Sequence, residues 1–194
     1  IYTSLPESLD GVSLQGNAPT IDDTGIIMAT AASLNSTSII VKDSIAQKAL
    51  TFGKPQLFRI TLELSSVTKI TDHFSIGIFG IGENYYGFEI ADGVLKGSSS
   101  NDDTIATNAI TLMTLSALTT YELEAVLSPD RNIVFKVNGV EKGTLTAQIP
   151  KGRNTSGEFI VNGNFYDWYV KTTDTDAKSA TIGAFEYYQE RYTK

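Results

Sequence analysis

Residues 121–145, YELEAVLSPDRNIVFKVNGVEKGTL, decide how the rest of the chain is read. Tyr121, Leu123, Ala125 and Leu127 alternate with Glu122, Glu124 and Val126, and the return arm sets Ile133, Phe135 and Val137 against Val134, Lys136 and Asn138. A period of two with one apolar face is the pattern of a half-buried antiparallel strand. Ser128 to Asn132 makes the first turn, because Pro129 presets φ and Asp130 and Asn132 tolerate tight geometry. Asn138-Gly139 makes the second turn, into a third short strand. Folding the arms about the first turn pairs Leu127 with Ile133, which sets Glu124 opposite Lys136 and Glu122 opposite Asn138.

Outward from this hairpin the same alternation recurs. Gln56 to Ser65 is the clearest case, with Phe58, Ile60, Leu62 and Leu64 on one side and Arg59, Thr61 and Glu63 on the other. His73 to Gly80 repeats it, Glu83-Asn84 reads as a turn into Tyr85 to Ile90, and Asp92-Gly93 turns into Val94 to Lys96. Gly97 to Thr104 (GSSSNDDT) reads as an exposed polar loop, and strands resume over Ile105 to Leu115. Upstream, Ile1 to Thr20 gives an edge strand and loop, Ile21 to Thr24 a turn, and Gly25 to Thr30 and Ser38 to Val41 short strands. Ser44 to Leu50 is ambiguous between a helical turn, a loop and a strand. Downstream, Glu158 to Val161 is a strand, Asn162 to Tyr169 (NGNFYDWY) an aromatic loop or strand edge, and Ala180 to Tyr192 the closing strand. No long 3.6-residue period and no fixed repeat is present, so the pattern predicts an all-β antiparallel sandwich with very little helix.

Composition bounds the function. The 194 residues suit a single β-sandwich domain over 1–194, and a first residue of Ile reads as a mature form or fragment of a longer chain. With no Cys, thiolate zinc sites, redox motifs and cysteine nucleophiles are excluded. A net charge of −7 and no Lys/Arg cluster argue against nucleic acid. No apolar run approaches the ~18 residues of a membrane span.

The Tyr-x-Leu strand, the Pro-Asp-Arg-Asn turn and VFKVNGV resemble the concanavalin A-like lectin/glucanase superfamily and its laminin-G-like jelly-roll domains. TIGAFEYYQERY resembles the last strand of that fold, which commonly returns beside the first. The resemblance implies two curved antiparallel sheets packed face to face, the concave one often carrying a sugar site. Glucanases of this fold use a Glu-x-Asp-x-x-Glu strand, and that pattern is absent here. Glu122 and Glu124 are the nearest candidates for a retaining pair ~5 Å apart, yet Lys136 opposite Glu124 makes a cross-strand ion pair that holds Glu124 ionised rather than as an acid. Glu89 to Asp92 has the wrong carboxylate spacing and ends in a turn.

The single histidine, His73, reads as a hydrogen-bonded structural residue beside Asp72 rather than as part of a triad. Asp22-Asp23 and Asn101-Asp102-Asp103 are loop carboxylates of the calcium-binding type but lack EF-hand spacing, so no cofactor is expected and calcium is the weaker alternative. Rings mixed with amides and acids suit a saccharide, whose C–H faces stack and whose hydroxyls hydrogen-bond. Asn84, Tyr85, Asn164, Tyr166, Asp167 and Trp168 are therefore the expected ligand-binding residues, with Tyr86 and one of Tyr166 and Trp168 turned to the core. Tyr187 and Tyr188 read as core and edge packing. These features predict a non-catalytic recognition module on an extracellular or virion surface, binding carbohydrate or a surface protein. A structural or assembly protein, with self-association open, is the second reading, and a polysaccharide hydrolase or lyase the third.

Overall fold

The computed structural model describes residues 2–3, 13–43, 52–78, 84–101, 107–129, 131–151 and 164–190. Among them are fifteen strands and no helix: β1 (Tyr2–Thr3), β2 (Ser13–Gly16), β3 (Thr20–Asp22), β4 (Gly25–Ala29), β5 (Thr37–Asp43), β6 (Gln56–Leu64), β7 (Ile70–Ile78), β8 (Asn84–Ala91), β9 (Val94–Ser100), β10 (Asn108–Thr114), β11 (Thr120–Ser128), β12 (Asn132–Val137), β13 (Val140–Leu145), β14 (Asn164–Thr172) and β15 (Ser179–Gln189). They form two antiparallel sheets. The first runs β13-β12-β11-β6-β15-β4-β3, with β1 also paired to β15, and the second runs β10-β9-β8-β7-β14-β5-β2. The all-β sandwich expected from the periodicity is what the chain forms.

The opening hairpin folds as its turns dictate. Leu127 pairs with Ile133 and Glu124 with Lys136. Asn138 and Gly139 have φ of 50° and 75°, positive at both central positions as a two-residue hairpin turn requires. Asp92 and Gly93, at 47° and 77°, make the same turn between β8 and β9. Tyr2 pairs with Tyr188, so the last strand does return beside the first.

Between the sheets lies a ring-rich core. Phe58, Phe135 and Phe185 project from the first sheet and Phe74, Tyr86, Phe88 and Trp168 from the second, all essentially buried. Their rings meet edge to face: Phe88–Phe135 at 5.5 Å, Phe58–Phe185 at 5.9 Å and Trp168–Phe185 at 5.2 Å between centroids. Such pairs add about 0.5–1.5 kcal/mol each beyond the area they bury. The sheets approach closely at Gly97, where an added Cβ would stand 2.6 Å from the Phe135 ring.

Several segments differ from the sequence reading. Gly97 to Ser100 is the second half of β9 and is buried, not an exposed loop. Gly97 packs where a side chain would collide with the Phe135 ring, and polarity alone gave no sign of that. Ile21 and Asp22 belong to β3, leaving only Asp23 and Thr24 in the turn, and Asn84 opens β8. The segment NFYDWY begins β14, a central strand between β7 and β5, rather than a loop or edge. The readings of 44–50, of 102–104 (with the calcium candidates Asp102 and Asp103) and of 158–161 lie outside the described residues.

Candidate functional site

The outer face of the second sheet is built by the side chains that alternate away from the core. On β7 these are Thr71, His73, Ser75 and Gly77, and on β8 they are Tyr85, Gly87, Glu89 and Ala91. Register then aligns Tyr169, His73, Glu89 and Lys96 in one row across β14, β7, β8 and β9. The next row is Asp167, Ser75, Gly87 and Ser98. At the centre the His73 ring stacks on Tyr169, 5.7 Å between centroids and 12° between planes. It also meets Tyr85 edge to face at 5.2 Å.

The one acid that β8 points to this side is Glu89. The Tyr85 hydroxyl donates to its Oε1 at 3.1 Å, and the carboxylate side chain stays 32% exposed. His73 Nδ1 stands 4.0 Å from that oxygen, but burial pushes the imidazole pKa down to about 3. At neutral pH the contact is therefore between a neutral ring and a carboxylate, not an ion pair. Tyr169 is pushed up to about 12, first by burial and then by the charges of Glu89, Asp72 and Asp167, so its hydroxyl keeps its proton and can donate. The row offers a fixed acceptor in Glu89, a protonated phenol in Tyr169, and a cation in Lys96.

The expected binding residues fall in different places. Asp167 is half-buried on this outer face, where its backbone carbonyl accepts from the Ser75 hydroxyl at 3.2 Å. Tyr85 faces the same side but is fully buried, and acts on Glu89 rather than on solvent. Trp168, expected to offer its ring to a ligand, is instead a core residue against Phe74 and Phe185 with no exposed surface. The alternation that points Asp167 and Tyr169 outward turns Trp168 inward. Asn84, expected in a turn, is buried and clamps Lys151: its amide donates to the Lys151 carbonyl at 3.3 Å and its Oδ1 accepts from the Lys151 amide at 3.1 Å. The side chains of Asn164 and Tyr166 lie outside the described residues. Of the tyrosines weighed beside them, Tyr86 and Tyr187 are core, and Tyr188 is 51% exposed on the first sheet. Glu89, Tyr169 and Lys96 were not singled out as ligand contacts, although reading NYYGFEIA with its period of two puts Glu89 in phase with Tyr85.

The other acids have local work. Glu124 accepts from Lys136 Nζ at 2.7 Å and from Arg59 Nε at 3.1 Å. Burial alone would raise its pKa, but these hydrogen bonds and charges outweigh it and hold the carboxyl below its usual value. An acid so held is a poor proton donor. Asp22 accepts from both the amide and the hydroxyl of Thr24, which pins its own turn. Asp174 accepts from Thr172 Oγ1 at 2.7 Å and pairs with Lys178 at 3.3 Å. Among the described residues no group of three His, Asp or Glu side chains is placed to hold a metal ion, and no helix is long and apolar enough to cross a membrane.

No family model matches the sequence, and no curated protein does either. Solved structures do match in shape. An apo Crh5 transglycosylase aligns with a TM-score of 0.69 at 10% identity over 98% of this chain and 85% of its own. A prokaryotic β-1,3-1,4-glucanase (lichenase) from a mouse hindgut metagenome aligns at 0.63 and 10% identity, over 96% and 92%. The binding domain of botulinum neurotoxin DC in complex with SialylT aligns at 0.60 and 9% identity, over 91% of this chain but 42% of that one. The chain therefore spans about two fifths of the toxin structure it matches. At such identities the likeness bears on architecture alone: the chain is an antiparallel β-sandwich of the jelly-roll kind.

Proposed function

We propose that this chain is a non-catalytic recognition module that binds carbohydrate across the outer face of its second sheet. The observation that carries the reading is Glu89, a part-exposed carboxylate steadied by the buried Tyr85 hydroxyl and set in one row with Tyr169 and Lys96. A fixed acceptor beside a protonated phenol suits the paired hydroxyls of a sugar, and Asp167 in the adjoining row adds a second acceptor. Architectures shared with glycan-handling proteins support the same ligand class. The reading places the protein on the outside of a cell or particle, where such ligands are displayed.

The non-catalytic part rests on what flanks Glu89. Its same-face neighbours along β8 are Gly87 and Ala91, so β8 lacks the paired carboxylates with which glucanases of this fold hydrolyse. The test is a glycan array read with the wild type and with Glu89→Gln. We expect the variant to lose about tenfold or more in affinity, the size of one charge-assisted hydrogen bond, with its melting temperature unchanged. A wild type that binds no glycan, or a variant that binds as well, would sink the assignment. Polysaccharide turnover abolished by Glu89→Gln would overturn the non-catalytic part.

A further inference from the structure

The outer face of the first sheet, on the opposite side of the sandwich, carries two rows that run across its strands. In one, Val134 on β12, Val126 on β11, Leu57 on β6 and Tyr188 on β15 are direct neighbours by register. In the adjoining row, Lys136, Glu124, Arg59 and Glu186 occupy the same four strands. The charges alternate +, −, +, −, and the apolar row runs from two small side chains to two large ones. Tyr188 stands 51% exposed, and Lys136, Arg59 and Glu186 have side chains 34–35% exposed. An uncovered tyrosine and an arginine are residue types enriched where proteins meet.

Both rows are self-complementary about the same line. A two-fold axis along the strands, between β11 and β6, reverses the order of the strands in a facing copy. Lys136 then faces Glu186 of the second copy, and Glu124 faces Arg59 of the second copy. The same operation seats Tyr188 over Val134 and Leu57 over Val126, large against small at every position. Glu141, which extends the charged row on β13, falls beyond Glu186 of the second copy, at the rim. Placing the axis on a strand would set charges of like sign against each other. Moving it by a whole strand keeps the signs opposed but sets small against small (Val134 on Val126) or large against large (Leu57 on Tyr188), so a single register satisfies both rows. Within each chain the acids and bases are already tied, Lys136 to Glu124 at 2.7 Å and Arg59 to Glu186 at 2.9 Å. A face held this way loses less side-chain freedom when it docks. The four facing strands, about 4.8 Å apart and paired over six to nine residues of about 3.4 Å each, give a face of roughly 400–600 Å² per partner, close to the ~1,000 Å² in total that a specific interface needs.

We propose that this face binds a second copy of the chain, forming a two-fold dimer packed through its first sheets. The dimer is independent of the carbohydrate reading, since it uses the other side of the molecule and is read without a ligand. Analytical ultracentrifugation of the wild type should show a dimer. Val134→Glu alone and Tyr188→Lys alone should each sediment as monomers with unchanged circular dichroism, because each puts a charge against an apolar partner twice. Mixed in equal amounts, the two variants should recover a heterodimer, in which one site pairs the new acid with the new base and the other is native. A wild type that stays monomeric at the highest concentration measured would overturn the proposal. So would variants that remain dimeric alone, or a mixture that remains monomeric.

Discussion

Asp72 and His73 are neighbours in sequence that point to opposite faces of β7, and both are buried. Asp72 Oδ1 accepts one bond, from the Lys171 amide at 3.2 Å, while Oδ2 has no hydrogen-bond partner. Burial pushes this carboxyl up to about 8, so it is mostly protonated at neutral pH. The two residues bend the stability curve in opposite senses. For Asp72 the folded pKa lies above the unfolded value, so its contribution is complete below about pH 4 and is lost as the pH climbs to about 8. For His73 the folded pKa of about 3 lies below the unfolded value of about 6.5, so stability falls as the pH drops between them. Between about pH 4 and 6.5 the two slopes, each about 1.4 kcal/mol per pH unit, cancel; above 6.5 Asp72 alone acts and removes about 2 kcal/mol by pH 8. Urea midpoints measured across this range should therefore show a plateau and then an alkaline decline, and Asp72→Asn should abolish the decline. A variant that declines like the wild type would show that the carboxyl is not the cause. At this scale the sequence was a poor guide. Nothing in ITDHFSIG says that the aspartate faces the core, because an acid at such a position is disfavoured and reads as a loop or edge residue. Trp168 misled in the opposite way: aromatic residues serve ligands and cores alike, and only the partner strands decide between them.

Single strands were more legible, because period-two alternation is written locally. β6, β8, β11 and β12 lie where their patterns put them, and the two Asn-Gly and Asp-Gly turns adopt the geometry that their residues favour. The exceptions are strands whose fit is set by a distant element. β9 continues through GSSS because Phe135, from the other sheet, lies over Gly97 and leaves no room for a side chain there. Replacing Gly97 with Ala forces that ring or the backbone to shift and should cost about 1–3 kcal/mol, the usual range for overpacking a filled core. Chemical denaturation would read it. A midpoint equal to that of the wild type would mean that the sheets part more easily than their packing implies. The candidate site shares this property. Glu89 is visible in the alternation of β8, but its neighbours Tyr169, His73 and Lys96 come from three other strands, and their row exists only once the sheet is assembled.

The order of strands is the least local feature, and the sequence held almost none of it beyond the pairing of the last strand with the first. β14 lies between β7 and β5, and β15 has β6 on one edge and β4 and β1 on the other. Each therefore completes the interior of a sheet. A chain cut before Asn164 loses two inner strands together with Trp168, Phe185 and Tyr187 from the core, and should not fold, which the loss of its β-sheet circular dichroism would show. A truncated chain with a cooperative thermal transition would contradict this. The arrangement also sets a timetable. As the polypeptide leaves the ribosome, β6 and β7 emerge long before the strands that fill the gaps beside them. Until residues 164–189 are out, each half-built layer presents an open slot lined with unpaired backbone groups. The nascent chain is then most prone to accept a strand from a neighbour, so a holding chaperone should improve its yield more than any change to the finished surface.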